Sequence, residues 1–224
     1  MAIIKPNTGI LSLRALQFTA IIAGLATFVL LIYTIQVVIK PQLPPSPRTA
    51  AEKALFDAKG EVARNPKNAK ARLALARVYI GIGQYEKALA SLRSALSLDK
   101  NNVEARYLTG VAYYEMGNYG EALSNLQKAA SIKGAFAEQL APIYEEIGKT
   151  YSAIGKSVNA VDAYKKALAY QPEAADIIFL LAQEYERLGD KQRAVKAYKG
   201  VLSYLPDDEK AAAALKRLQT NSKR

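Results

Sequence analysis

Three kinds of short pattern in this 224-residue chain could carry chemistry. Gly148-Lys149-Thr150 and Gly155-Lys156-Ser157 each end like a phosphate-binding loop. Ser97-Leu98-Asp99-Lys100 has the Ser-x-x-Lys spacing of an acyl-transfer nucleophile with its base. Glu145-Glu146 and Asp207-Asp208 set carboxylates side by side, as a shared proton or a hard cation would need. Each pattern lacks its context. A phosphate loop needs a glycine five residues before the second one, but Ile143 and Thr150 stand there, and no strand precedes either. Ser97 falls at a helix end with none of the companion motifs nearby. Adjacent helical residues point in different directions, so each acidic pair reads as a solvated face or a helix cap.

Composition narrows the chemistry further. The chain has no Cys, His or Trp, and 31 Lys plus Arg against 20 Asp plus Glu give a formal charge of +11. A disulfide framework, a thiolate nucleophile and a Ser-His-Asp triad are excluded, and zinc would need all-oxygen ligands. The expectation is a protein that is not an enzyme, with no metal, no cofactor and no small-molecule substrate. The densest basic stretch, Arg64, Lys67, Lys70, Arg72 and Arg77, has no acid between Glu61 and Glu86. It fits a wet lysine-rich surface, anionic headgroups or an acidic partner. No basic–aromatic interleaving marks a nucleic-acid module, so no nucleic acid is expected.

The elements that must position these residues begin with an apolar run. Ala15 to Ile39 holds 25 residues without a charge, bounded by Arg14 and Lys40. As a helix it would reach about 37 Å against about 30 Å of hydrocarbon. It also outlasts the apolar core of a cleaved signal peptide. These lengths predict a short basic tail over 1–14, a single transmembrane helix over 15–39 and a stiff Pro-rich linker over 40–47. The chain then reads as a single-pass membrane protein. A short basic tail is harder to translocate than a long domain, which puts the region beyond the linker on the extracytoplasmic side.

Beyond the linker the chain repeats. Gly83, Gly117, Gly155 and Gly189 are spaced 34, 38 and 34 residues apart, and Tyr79, Tyr113, Tyr151 and Tyr185 keep that register. So do Ala88, Ala122, Ala160 and Ala194. Within a unit, Leu75, Val78, Tyr79 and Ile82 recur at helical spacing before the glycine breaks the helix, and a second helix follows. Small residues at Ala76, Gly110, Gly148 and Ala182 would let the two helices approach closely. Leu92, Leu126, Tyr164 and Tyr198 would fill the space between pairs, and Pro172 and Pro206 stop the second helix of the last two units.

This pattern resembles the tetratricopeptide repeat (TPR), a 34-residue helix–turn–helix unit. The resemblance covers 69–208 as four units, 69–102, 103–136, 141–174 and 175–208. A half-repeat helix over 48–66 precedes them, and a capping helix with a basic tail over 209–224 follows. Residues 137–140 are an insertion expected to lengthen a turn, with Pro142 in a first helical turn. The family implies an all-α, right-handed α-solenoid, here preceded by the transmembrane helix.

The family also implies a scaffold whose concave groove, lined by the first helix of each unit, binds another polypeptide. Its groove positions fall on Lys70, Leu73, Arg77 and Ile80, on Glu104, Tyr107, Val111 and Tyr114, on Glu145, Lys149 and Ser152, and on Asp176, Phe179, Gln183 and Glu186. Of these, Leu73, Arg77, Tyr107, Val111, Tyr114 and Phe179 are the expected partner-binding residues. The competing reading of Leu73, Tyr107 and Phe179 is ordinary packing between helices. The family's basic clamp for a C-terminal carboxylate is absent, because its positions hold Leu73, Arg77, Leu108, Pro142 and Glu146. The expected ligand is an apolar helix or an extended segment of a protein partner. The expected role is a membrane-tethered adaptor in the assembly of a complex. The alternative is a subunit that self-associates into a homo-oligomer or filament through its N-terminal helix and repeats.

Overall fold

A recurring tyrosine–glycine pair ends the first helix of each repeat, and backbone geometry explains both residues. Gly83, Gly117, Gly155 and Gly189 have φ of 72°, 76°, 73° and 74°, a left-handed conformation that a side chain would strain. With the chain turned this way, the amide after each glycine donates to the carbonyl of the tyrosine. Gln84 N reaches Tyr79 O at 2.8 Å, Asn118 N reaches Tyr113 O at 2.9 Å, and Lys156 and Asp190 repeat the bond. The last orphan carbonyls of each helix are thereby satisfied and the chain reverses.

This computed structural model describes residues 8–34 and 49–220, with side chains in the first stretch only at 17, 18 and 20–34. Eleven helices and no strand occur among the described residues. The chain divides into a unit spanning 1–48 and a unit spanning 49–224. The first contains α1 (Thr8–Tyr33). The second runs α2 (Ala50–Arg64), α3 (Ala69–Gly81), α4 (Tyr85–Leu98), α5 (Val103–Glu115), α6 (Tyr119–Ser131), α7 (Ala137–Ala153), α8 (Ser157–Tyr170), α9 (Ala175–Arg187), α10 (Lys191–Tyr204) and α11 (Glu209–Thr220). Each helix of this second unit packs on the next, and the first helices α3, α5 and α7 also touch one another in turn.

Close helix approach depends on the small-residue columns. A Cβ on Gly110 would lie 2.5 Å from Leu126 Cγ, and one on Gly148 would lie 2.4 Å from Tyr164 Cε1. Ala88, Ala122, Ala160 and Ala194 are fully buried, as are Leu92, Leu126, Tyr164 and Tyr198 between pairs. The array is closed at its ends by polar helices. Thr49 and Glu52 cap the start of α2 reciprocally, at 3.1 Å and 3.2 Å. Asp208 accepts from Ala211 N at 2.7 Å at the start of α11, whose Leu215 turns inward.

Two expectations need correction. Among the described residues, no helix is long and apolar enough to cross a membrane. The single-pass assignment and the extracytoplasmic placement of the repeats therefore fall. Helix α1 contains residues 15–33 of the uncharged run. Residues 35–39 and the linker 40–47 lie outside the described residues. The second correction concerns 137–140, which add a turn of helix to α7 instead of lengthening a loop. Ala137, Glu138, Gln139 and Leu140 are good helix formers, and the Gln139 side chain accepts from Phe136 N at 3.1 Å. Pro142 consequently sits in the second turn of α7.

Candidate protein-binding face on the first helices

Asparagines start two of the helices that carry this face, α3 and α5. Asn68 Oδ1 accepts from Lys70 N at 2.9 Å, and Asn102 Oδ1 accepts from Ala105 N at 2.9 Å, so the register of α3 and α5 is fixed at the first turn. On α5 the small residues Ala105, Thr109, Gly110 and Ala112 are buried against neighbouring helices. Steps of three and four residues place Tyr107, Val111 and Tyr114 on an adjoining stripe, and all three remain half-buried.

The six expected site residues divide. Leu73 is only 5% exposed and packs with Ala76, Leu92, Ala95 and Ala105, so the structure places it in the core. Arg77 is exposed and pairs with Glu104 across α3 and α5. Arg77, Glu104 and Tyr107 line one depression of about 280 Å³ together with Glu138, Pro142 and Ile143. Tyr107 rests on the cluster of Leu126, Ile143 and Ile147 while part of its ring stays accessible. Tyr114 tilts against Tyr119 with centroids 5.7 Å apart. Phe179 lies elsewhere, edge-on to Tyr198 at 5.4 Å, in a second depression of about 410 Å³ with Asp176, Leu180 and Leu205. The expected groove positions thus line two depressions, with a charged ridge on α7 flanking them.

Sequence reasoning did not assemble that ridge. Lys149 Nζ is shared by Glu145 at 2.5 Å and Glu146 at 3.0 Å. The signal was available, because acids three and four residues before a lysine share its helix face. Burial pulls the Lys149 ammonium down, but the two carboxylates more than reverse this and leave it raised. Burial pushes the Glu146 carboxyl up, and a single ammonium only partly opposes that. Burial, reinforced by the charges of Glu146 and Glu145, pushes the Tyr107 phenol up to about 12. Burial followed by the Glu146 charge raises Tyr114 as well.

Farther along, Ser152 on α7 donates to Glu184 Oε1 at 2.6 Å, and Arg187 reaches the same oxygen at 2.6 Å. Glu184 is 2% exposed and its Oε2 has no partner among the described residues. Glu186 uses one oxygen for Tyr198 Oη and the other for Arg217, each at 2.5 Å. Nothing among the described residues resembles a catalytic constellation. No group of acidic side chains among them is arranged to hold a metal. The face can offer aromatic surface, unengaged phenols and carboxylates to a polypeptide.

Comparison with known proteins agrees with this architecture. The sequence profile for anaphase-promoting complex, cyclosome, subunit 3 matches residues 49–129, and a tetratricopeptide repeat profile matches residues 155–218. No curated protein sequence matches the chain. Among solved structures, MamA superposes with a TM-score of 0.59 at 26% identity, covering 71% of this chain and 85% of its own. A thermophilic TPR protein of Thermus thermophilus gives 0.60 at 22% identity, covering 76% and 91%. PilF of Pseudomonas aeruginosa gives 0.64 at 20% identity, covering 74% and 81%, and these last two share the fold. Both matched stretches contain the left-handed glycine turns and the buried alanine columns of the helix pairs, and the chain belongs to the tetratricopeptide-repeat family.

Proposed function

We propose that this chain is a non-enzymatic adaptor that binds a polypeptide segment across its first helices and so brings a partner into a larger assembly. The observation that carries this reading is the α5 stripe. Tyr107, which lines a depression, and Tyr114, farther along the same helix face, are large amphipathic side chains left half-buried, and neither phenol has a hydrogen-bond partner among the described residues. Buried or interfacial tyrosines ordinarily find such a partner, and they are enriched among interface hot spots. The ligand is an apolar helix or an extended segment seated between the depressions at Tyr107 and Phe179. Leu73 has no part in it. Replacing Tyr107 and Tyr114 together by Ala is expected to weaken partner capture by about 2 kcal/mol or more. Circular dichroism should show helix content retained. Unchanged capture would contradict the reading.

A second reading rests on α1. Phe18, Leu25, Phe28 and Leu31 on that helix are each 58–67% exposed, an apolar surface that another copy of the chain could cover. Self-association through α1 predicts that the full chain sediments as an oligomer and that deleting residues 1–48 yields a monomer. An unchanged sedimentation coefficient per subunit would remove this reading.

A further inference from the structure

Charge is sorted between the two rows of helices. First helices α5, α7 and α9 carry eight Asp and Glu against three Lys and Arg. Second helices α6, α8 and α10 carry two against seven. The rows therefore differ in sign, net −5 against net +5, although the whole chain is strongly basic. Within the first-helix row the sign changes once. Helix α3 has Lys70, Arg72 and Arg77 and no acid, and Arg77 meets Glu104 where the acidic part begins.

The acidic part is under-neutralised where it meets the tyrosines. One ammonium, Lys149, serves both Glu145 and Glu146, and the Glu115 charge also acts on Glu146 and Tyr114. A second observation is independent of this cluster. Glu184, bonded to Ser152 on the same row, keeps one carboxylate oxygen buried without a partner among the described residues. Carboxylates beside half-buried aromatic rings attract a cation through both the charge and the ring faces.

We propose that the segment bound by this face is cationic: an apolar stretch bearing Lys or Arg, with one cationic side chain entering between Glu145, Glu146 and the Tyr107–Tyr114 stripe. Lys149 is the resident cation of that position, and the incoming group shares or displaces it. The basic α3 end repels the same charge and so fixes how far along the row the segment extends. This inference rests on the first-helix face being the binding surface.

The test uses the full-length chain and two synthetic amphipathic helical peptides, one Leu/Lys and one Leu/Glu, with binding read by fluorescence anisotropy. The Leu/Lys peptide should bind at least about 10-fold more tightly, as opposed charges at an interface require. Glu145→Gln with Glu146→Gln should abolish that preference, and Lys149→Met should tighten Leu/Lys binding several-fold. Should Lys149→Met fail to fold, the two glutamine changes decide alone. Equal binding of both peptides, with both weakened by Tyr107→Ala and Tyr114→Ala, would overturn the charge inference and leave the binding face standing. Absence of binding, or binding indifferent to every change on this face, would overturn both.

Discussion

At the scale of single residues, space and charge decide which substitutions the chain tolerates. Gly148 and Gly60 make a matched pair. A Cβ on Gly148 would collide with the Tyr164 ring at 2.4 Å, whereas one on Gly60 in α2 would meet nothing within 4 Å. Gly148→Ala should destabilise by roughly 1–3 kcal/mol through overpacking. Gly60→Ala should stabilise by about 0.5–1 kcal/mol through lower unfolded-state entropy and better helix propensity. Thermal melts of the two variants should shift in opposite directions, and shifts of the same sign would refute the packing assignment. Glu146 gives a pH test. Its carboxyl is raised by burial, so between its ordinary value and the raised one the folded state holds more protons than the unfolded chain. Stability must therefore fall as pH rises through that window. The melting temperature of Glu146→Gln minus that of the native chain should grow as pH rises through that window. A flat difference would mean that Lys149 already compensates the buried charge in full.

At the scale of elements, the sequence exposed what local geometry demands and hid what depends on a neighbour's size. The tyrosine–glycine column was legible because a left-handed turn needs glycine wherever the fold goes. The alanine column was legible for a similar reason: Ala122 lies fully buried where α5 and α6 meet. Ala122→Leu should cost roughly 1–3 kcal/mol, while Ser124→Leu on the exposed side of α6 should stay within about 0.5 kcal/mol. Equal melting shifts would show the helix register to be wrong. Leu73 and Tyr107 occupy the same column of successive units, and the pattern could not separate them. Leu73 ends inside the core at 5% exposure, but the longer tyrosine reaches past it to the surface. The extra turn of α7 was likewise hidden, since repeat spacing does not say where a helix starts. The burial of Glu184 left no trace in the sequence, for its partner Ser152 is 32 positions away.

At the scale of the whole molecule, the repeat unit is a stack in which every pair leans on its neighbours, so its ends need protection. The Thr49–Glu52 cap supplies part of that protection. Thr49→Ala should cost about 1 kcal/mol and loosen α2 first, which hydrogen exchange would detect as selective loss of protection over 50–64. Uniform loss would mean that α2 is not a separable edge of the array. Along its first helices the stack presents a half-buried tyrosine stripe with an acidic ridge beside it, and the functional reading stands on that surface. The most direct measurement replaces Val111, in the middle of the stripe, with a photo-reactive phenylalanine analogue and compares it with the same replacement at Ser124. Irradiation in the native host should give a discrete polypeptide adduct at 111 and none at 124. Equal cross-linking at both positions, or adducts at 124 alone, would contradict binding through the first-helix face.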